Sequence, residues 1–268
     1  FIKLIKKNIS LDELFIAFKK IKKLKVLTIG EVILDQYIFS EPIGKSAKDT
    51  MLVVKENNTN TFVGGSGSIA KNISNFTDQN VKLISYIGFK KDYLNTIKKY
   101  LGKKVDSFFV KKQNSPSILK KRYIDKINNS KLLGIYNFNN FDLTKNEESH
   151  IIKKLKSMTK KSDLVIVNDF SHGLITKNIF NNIIKTSKFV TLNTQINSSN
   201  FGFHSMKNYR NLDCLSINER ELRHELRDKI SDIKIIMKRL SKENSLSNIL
   251  VTRGSDGVIL YNKKKNQF

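Results

Sequence analysis

Three groups of residues have the types and spacing to act on a polar ligand. The first is Val63-Gly64-Gly65-Ser66-Gly67-Ser68, which runs into an apolar helical pattern carrying Asn72 and follows a strand pattern whose exit holds Gly30, Glu31 and Asp35. Paired glycines let backbone approach a ligand without side-chain collision, and the helix behind them offers unpaired N–H groups and a positive dipole end. An ordinary tight connection between strand and helix has the same composition, so both readings stay open. Spacing excludes two other glycine motifs. Gly67 is followed by Ser68 and Ile69, which is no Walker-type phosphate loop, and Gly30 leads into Glu31-Val32-Ile33-Leu34-Asp35 with no second glycine for a dinucleotide fingerprint.

The second group, Asn218-Glu219-Arg220-Glu221, lies just past a strand pattern, where α/β sheets place ligand crevices. An amide and a carboxylate three residues apart can hold magnesium-bound water near phosphates. Simple capping, with Asn218 as cap and Glu221 at the third helical position, explains the pair equally well. Close behind, Val251-Thr252-Arg253-Gly254 ends a strand and turns back through Asp256 and Gly257. In the third group, period-two geometry over residues 117 to 124 puts Lys120 and Arg122 on one face, suited to a phosphorylated ligand or simply to solvent. His150, His172, His204 and His224 are scattered, with no metal-ligand spacing.

The elements that must position these residues follow from periodicity. Ser10 with Glu13 is a capping box opening an amphipathic helix over residues 10 to 23, and residues 25 to 30 form a buried-strand pattern. A helix from about Gly67 to Phe76 and a strand from Val81 to Ile87 complete a β-α-β unit. Thr144 and Glu147 open a further helix, followed by a strand at residues 164 to 167, a helix at 177 to 187 and strands at 189 to 193 and 214 to 217. Helices near 219 to 226 and 230 to 241 and a strand at 248 to 252 then predict a mainly parallel α/β sheet. Residues 50 to 62 and 116 to 138 break the rhythm with β patterns and no helix between them, as an inserted lid would.

A chain of 268 residues with 39% hydrophobic residues can bury one sizeable core, or one core and a small appendage. There is no run of 18 apolar residues, and the opening Phe1-Ile2-Lys3-Leu4-Ile5-Lys6-Lys7 is too short for a signal peptide, so we expect a cytoplasmic protein with no membrane partner. Cys214 is the single cysteine, which rules out an intrachain disulfide, and its apolar neighbours predict a small buried strand residue. The absence of an initiator methionine suggests a piece of a longer product. The formal charge of +25 fits nucleic acid, an anionic membrane surface or phosphorylated small molecules. It is mostly lysine spread along the chain beside abundant Asn and Ile, as codon bias also produces. No aromatic-interleaved strand or helix-turn-helix pattern accompanies it, which argues against a nucleic-acid partner.

The order and spacing of Gly30 to Asp35, Gly64-Gly65 to Asn72, Asp169 to Gly173, Asn218 to Glu221 and Val251 to Gly257 resemble the ribokinase-like (phosphofructokinase-B type) carbohydrate kinases over nearly the whole chain. Gly30 to Tyr37, the lid with Lys120 and Arg122, Asn168 to Gly173 and Val251-Thr252-Arg253 look most like the kinase module of the heptose-7-phosphate kinase and heptose-phosphate nucleotidyltransferase proteins. The resemblance implies an α/β three-layer sandwich with a mainly parallel central sheet and a small β lid. It also implies ATP, with Mg²⁺ held mainly through the nucleotide phosphates and by Glu221, and transfer of the terminal phosphoryl group to a hydroxyl of a sugar or sugar phosphate.

By the same resemblance Asp35, Gly64, Gly65, Ser68, Asn72, Lys120, Arg122 and Asp169 face the sugar. Asn193, Asn218, Glu219, Arg220, Glu221, Thr252, Arg253 and Gly254 face ATP. Residues 1–24 become a linker helix from an upstream nucleotidyltransferase domain, and 25–268 the kinase domain, with lid segments near 41–62 and 108–140 and a homodimer through that lid. Departures from the family are Ser68 where it has an asparagine, Asn193-Thr194-Gln195 where heptose kinases carry Asp-Pro-Lys, and His172 in place of a lysine. The family's Gly-Ala-Gly-Asp segment is not among the 268 residues. No catalytic base is therefore assigned; it is expected beyond Phe268, and the 268 residues alone are expected to turn over negligibly. The departures leave a non-catalytic sugar-binding or assembly module as the alternative, with a basic nucleic-acid-binding protein behind it.

Overall fold

The structure is a computed structural model that describes residues 9–195 and 206–268. His204 and residues 1–8 of the expected linker lie outside the described residues. Helix α1 (Leu11–Lys22) starts at the Ser10–Glu13 capping box, both of whose reciprocal hydrogen bonds form, and none of its residues is buried. Strand β1 (Val26–Gly30) is buried at every position, as an apolar run inside a parallel sheet must be. After Glu31 alone, the chain continues as β2 (Val32–Lys45), returns as β3 (Leu52–Gly65) and passes directly into α2 (Ser66–Ile73).

The chain proceeds through β4 (Val81–Gly88), α3 (Leu94–Leu101), β5 (Val105–Lys112), β6 (Leu119–Asp125), β7 (Lys131–Asn137), α4 (Lys145–Thr159) and β8 (Leu164–Asp169). It then runs through α5 (Lys177–Thr186), β9 (Val190–Thr194), β10 (Cys214–Asn218), α6 (Glu219–Leu226), α7 (Ile233–Asn244), β11 (Asn248–Thr252) and β12 (Val258–Asn262). The main sheet has the order β12-β11-β10-β9-β8-β1-β4-β5, parallel throughout except for β12 at one edge. A second sheet, β3-β2-β6-β7, forms the lid.

Alternation along the strands builds two cores on opposite faces. Ile84 and Tyr86 of β4 join Leu27, Ile29 and the apolar stripes of α4, α5, α6 and α7, whereas Val81, Leu83 and Ile87 of the same strand pack against Ala70, Ile97 and Leu101 of α2 and α3. Over β8 to β11 the apolar side chains of only the first of these faces are deeply buried. On the other, Ile166, Thr191, Ser216 and Leu250 are half-buried, and Cys214 with them, so the cysteine is not the core residue its neighbours predict.

The lid differs from its expected span at both starts. It begins at Val32, because β2 pairs with β3 from Gly65 onwards, and residues 108 to 112 are not part of it, because β5 pairs with β4 as the edge of the main sheet. Among the described residues no helix is long and apolar enough to cross a membrane.

Candidate functional site

In the lid, register decides which side chains meet. Asp35 stands opposite Phe62 of β3 and Lys120 of β6, and Tyr37 opposite Asn60 and Arg122, so Asp35, Tyr37, Lys120 and Arg122 share one face. Arg122 donates to the Asp35 carboxylate in an ion pair, and its guanidinium lies 5.5 Å from the Tyr37 ring centroid and 5.7 Å from that of Tyr136. The Lys120 ammonium, 5.7 Å from the Tyr136 ring, is pulled below its ordinary pKa by burial, against the opposing pull of Asp35. A Cβ on Gly64 would come within 2.7 Å of Asp35 Oδ2, so the glycine keeps the carboxylate's surroundings clear. A hollow of about 450 Å³ lined by Asp35, Tyr37, Phe39, Asn60 and Phe62 opens on this face.

At the carboxyl ends of the parallel strands a second row assembles. Gly30 is paired with Asn168, Asn168 with Asn193, Asn193 with Ser216, and Asn218 with Thr252. With strands about 4.8 Å apart, the row spans from the exit of β1, where the lid departs, to the exit of β11. Asp169, the last residue of β8, accepts the Ser171 N–H at 2.7 Å and the Tyr209 hydroxyl. Burial, first, and the Asp169 charge, second, raise the Tyr209 phenol well above its ordinary range. Two buried polar atoms beside Gly30, Ser66 Oγ and Asn168 Nδ2, have no hydrogen-bond partner. Neither Ser66 nor Tyr209 is suggested by sequence pattern; Ser66 lies within the glycine-rich segment, and Tyr209 offers no local signal.

Around β10 and β11, Asn218 and Glu221 make the helix cap that their spacing allows. Asn218 Oδ1 accepts the Arg220 N–H at 3.0 Å, and Glu221 accepts the Asn218 N–H at 3.0 Å, a complete capping box. The Asn218 amide also donates to Thr252 O at 3.2 Å, joining two strand exits. Glu219 is held by Arg223 at 2.8 Å and Arg253 at 2.7 Å, and these two bonds lower its pKa. Asn193 donates to Ser216 O at 3.1 Å. Arg220 is exposed, and Gly254, at φ +60°, opens onto empty space. Amide, hydroxyl and guanidinium donors gathered at strand ends fit a polyphosphate. Among the described residues no group of three or more His, Cys, Asp or Glu could hold a metal ion.

Asp169, in the strand-exit row, and two further expected sugar-facing residues do not join the Asp35 face. Ser68 turns its hydroxyl back to Gly65 O at 2.9 Å, and Asn72 is exposed on α2. The glycine-rich segment itself is no loop: Gly64 and Gly65 finish β3 in register with Ile33 and Val32.

Between the two groups lies Glu31, fully buried, whose carboxylate accepts the N–H groups of Phe170 at 3.0 Å, His172 at 3.2 Å and Leu174 at 3.2 Å. Burial, reinforced by the neighbouring Asp169 charge, raises its pKa from 4.5 to about 7 against these donors; Lys112, Lys120, Tyr86 and Tyr209 also face it. The folded protein thus holds a proton that the unfolded chain releases near pH 4.5. Stability from this group is greatest at and below that pH and is lost as pH rises through about 7. Melting temperature is expected to fall between pH 5 and 8, roughly the window of the two values, and the Glu31→Gln chain to lose that slope. A wild-type slope retained by Glu31→Gln would assign the titration elsewhere.

The pattern of the pfkB family carbohydrate kinases matches residues 23–268. No curated protein matches the chain. Among solved structures, phosphofructokinase-2 from Escherichia coli in complex with potassium superposes with a TM-score of 0.70 at 9% identity, over 90% of this chain and 76% of that one. Ribokinase from Giardia lamblia gives 0.67 at 16% identity, covering 91% and 79%, and Arabidopsis thaliana ribokinase complexed with ribose and ATP gives 0.63 at 14%, covering 90% and 76%. At these identities the likeness is one of fold, a ribokinase-like α/β architecture with a mostly parallel central sheet.

Proposed function

Because the chain belongs to the pfkB family of carbohydrate kinases, we propose that it binds ATP and a sugar phosphate for transfer of the terminal phosphoryl group to a sugar hydroxyl. One observation supports this most. The lid face holding Asp35, Lys120 and Arg122 departs from the same sheet end at which Asp169, Asn193, Asn218 and Thr252 stand in a row.

In this reading Asp35 accepts a sugar hydroxyl, and Gly64 and Gly65 admit the ring against bare backbone. Lys120 and Arg122 neutralise the phosphate the sugar already carries. Two cations beside a single carboxylate are what favours a phosphorylated sugar, a heptose phosphate included, over a free one. Asn193, Asn218, Arg220, Thr252, Arg253 and Gly254 line the nucleotide side, with Glu219 orienting Arg253. Mg²⁺, when bound, would neutralise phosphate charge there. A homodimer through the lid belongs to the same proposal, since Phe62, Leu133 and Ile135 stand exposed on it. Abstraction of the hydroxyl proton needs a carboxylate at the sugar. We assign that role to none of the 268 residues and expect them to bind both substrates weakly and turn over negligibly.

The test is calorimetric titration of the 268-residue chain with a non-hydrolysable ATP analogue and with a panel of hexose and heptose phosphates and free hexoses, beside an ATP-consumption assay. Binding of a phosphorylated sugar at least about tenfold tighter than its free form, 1.4 kcal/mol, is expected. Binding of free hexoses alone would overturn the phosphosugar assignment, binding of neither substrate would overturn the kinase reading, and rapid ATP consumption would place the base among these residues after all.

A further inference from the structure

The segment Asp169 to Leu174 leaves β8 in the middle of the strand-exit row, and its irregular backbone is pinned by side chains. Glu31 takes three of its N–H groups, those of Phe170, His172 and Leu174. The His172 carbonyl accepts from the Lys112 ammonium at 2.9 Å and from the Tyr86 hydroxyl at 3.3 Å. Lys112 is only 2% exposed, a burial that lowers its pKa and that an ammonium tolerates when charge and hydrogen bonds compensate it, and Glu31, when ionised, supplies the largest such charge. Within the segment Ser171 takes φ +59° and Gly173 φ +82°, and a Cβ at Gly173 would lie 2.0 Å from Phe141 O. A chain path of this kind persists only where its surroundings over-determine it.

The Glu31 carboxylate straddles the link that matters. It holds the N–H groups on either side of Ser171, and the Ser171 N–H in turn holds Asp169 Oδ1. The backbone oxygen of Glu31 meanwhile accepts the Ser66 N–H at 2.8 Å, at the junction of β3 with α2. One residue therefore ties the Asp169 segment to the glycine end of β3. We infer that Glu31 is a positioning residue for the sugar side of the site: it sets the backbone of Phe170 to Leu174, and through Ser171 the Asp169 carboxylate, in the arrangement that receives the phosphorylated sugar. The inference rests on the kinase reading for the identity of the ligand, and on the hydrogen bonds alone for the positioning.

Hydrogen–deuterium exchange on the whole chain separates these two dependencies. In Glu31→Gln the amides of Phe170, His172 and Leu174 are expected to exchange at least tenfold faster, while those of β9, β10 and β11 keep their protection. In titrations the hexose or heptose phosphate that the unsubstituted chain binds is expected to bind Glu31→Gln at least tenfold more weakly, with the affinity for a non-hydrolysable ATP analogue changed less than about twofold. Glu31→Asp, which keeps the charge, should recover part of the sugar affinity. Should Glu31→Gln fail to fold, Tyr209→Phe, which removes the hydroxyl that donates to Asp169, is expected to show the same selective loss for the sugar. Unchanged exchange at Phe170 to Leu174 would overturn the positioning. Faster exchange with unaltered sugar affinity would make Glu31 structural only, and equal losses for sugar and nucleotide would do the same. Faster exchange in a chain that binds no sugar phosphate even unsubstituted would sink the kinase reading and the ligand named here, leaving the anchor.

Discussion

The Asp35→Ala chain is expected to bind its sugar phosphate at least about 100-fold more weakly than the unsubstituted chain. A hydrogen bond to a charged group contributes roughly 1.5–3 kcal/mol, and a carboxylate between β3 and β6 can serve two hydroxyls of one ring. The substitution also strips Arg122 of its ion-pair partner. Arg122 is about a fifth exposed, stacked between Tyr37 and Tyr136, and would turn its charge towards the ligand's phosphate or towards solvent. The nucleotide side, several strands away, should be untouched. Calorimetry with both ligands checks this. An undiminished sugar affinity would remove Asp35 from the pocket, whereas parallel losses of both ligands would indicate a folding defect.

Gly65→Ala is expected to be strongly destabilising, by about 4 kcal/mol, since a strained φ/ψ costs roughly 1–3 kcal/mol before any collision is counted. Gly65 has φ +59° and ψ −142°, a combination essentially confined to glycine. An added Cβ would stand 2.4 Å from the Glu31 backbone oxygen and 3.2 Å from Ile33 Cγ1. Neither can retreat cheaply, because Glu31 is buried and its oxygen already receives the Ser66 N–H. Denaturant unfolding measures the loss. A decrease below 1 kcal/mol would mean that the junction of β3 and α2 relaxes more easily than its packing suggests. At Gly64, by contrast, the one atom an added Cβ would crowd is a carboxylate oxygen, with the Ile33 oxygen at an ordinary 3.5 Å, so Gly64→Ala tests space beside Asp35 rather than backbone strain.

Much of this frame is legible in the sequence because its signals are local. The capping pairs Ser10 with Glu13 and Thr144 with Glu147 open helices as read, and Asn218 with Glu221 does so as well. The apolar runs that become β1, β8, β9, β10 and β11 stand within a residue or two of their expected places. What escaped was set by partners distant in sequence. Residues 32 to 45 carry no clean alternation, since the first three are buried on both faces and the last are mostly exposed, so β2 does not announce itself as a strand. Helix α3 and strand β5 are diluted by lysines, and the edge position of β5 is fixed only by pairing with β4.

The candidate site divides in the same way. Period two along β6 places Lys120 and Arg122 on one face, which local geometry predicts. That Asp35 lies on this face depends on β2 pairing with β6, 85 residues on, in a register only the folded chain reveals. The contacts of Glu31 join residues 139 to 143 positions apart through backbone N–H groups, which carry no side-chain signature to read.

Two of the lid's four covalent connections to the rest of the chain have almost no slack. One residue separates β1 from β2, and none separates β3 from α2. Loop-based closure puts large backbone rotations into a few soft residues, and neither of these two offers them, at the end of the lid beside the strand-exit row: one runs through a buried carboxylate, the other through a glycine whose geometry is already spoken for. If this lid approaches the nucleotide side, the movement has to be stored as elastic bending and twisting along β2 and β3. It would then behave as a leaf spring clamped at its base, with a restoring force that grows with displacement and favours reopening once product has formed.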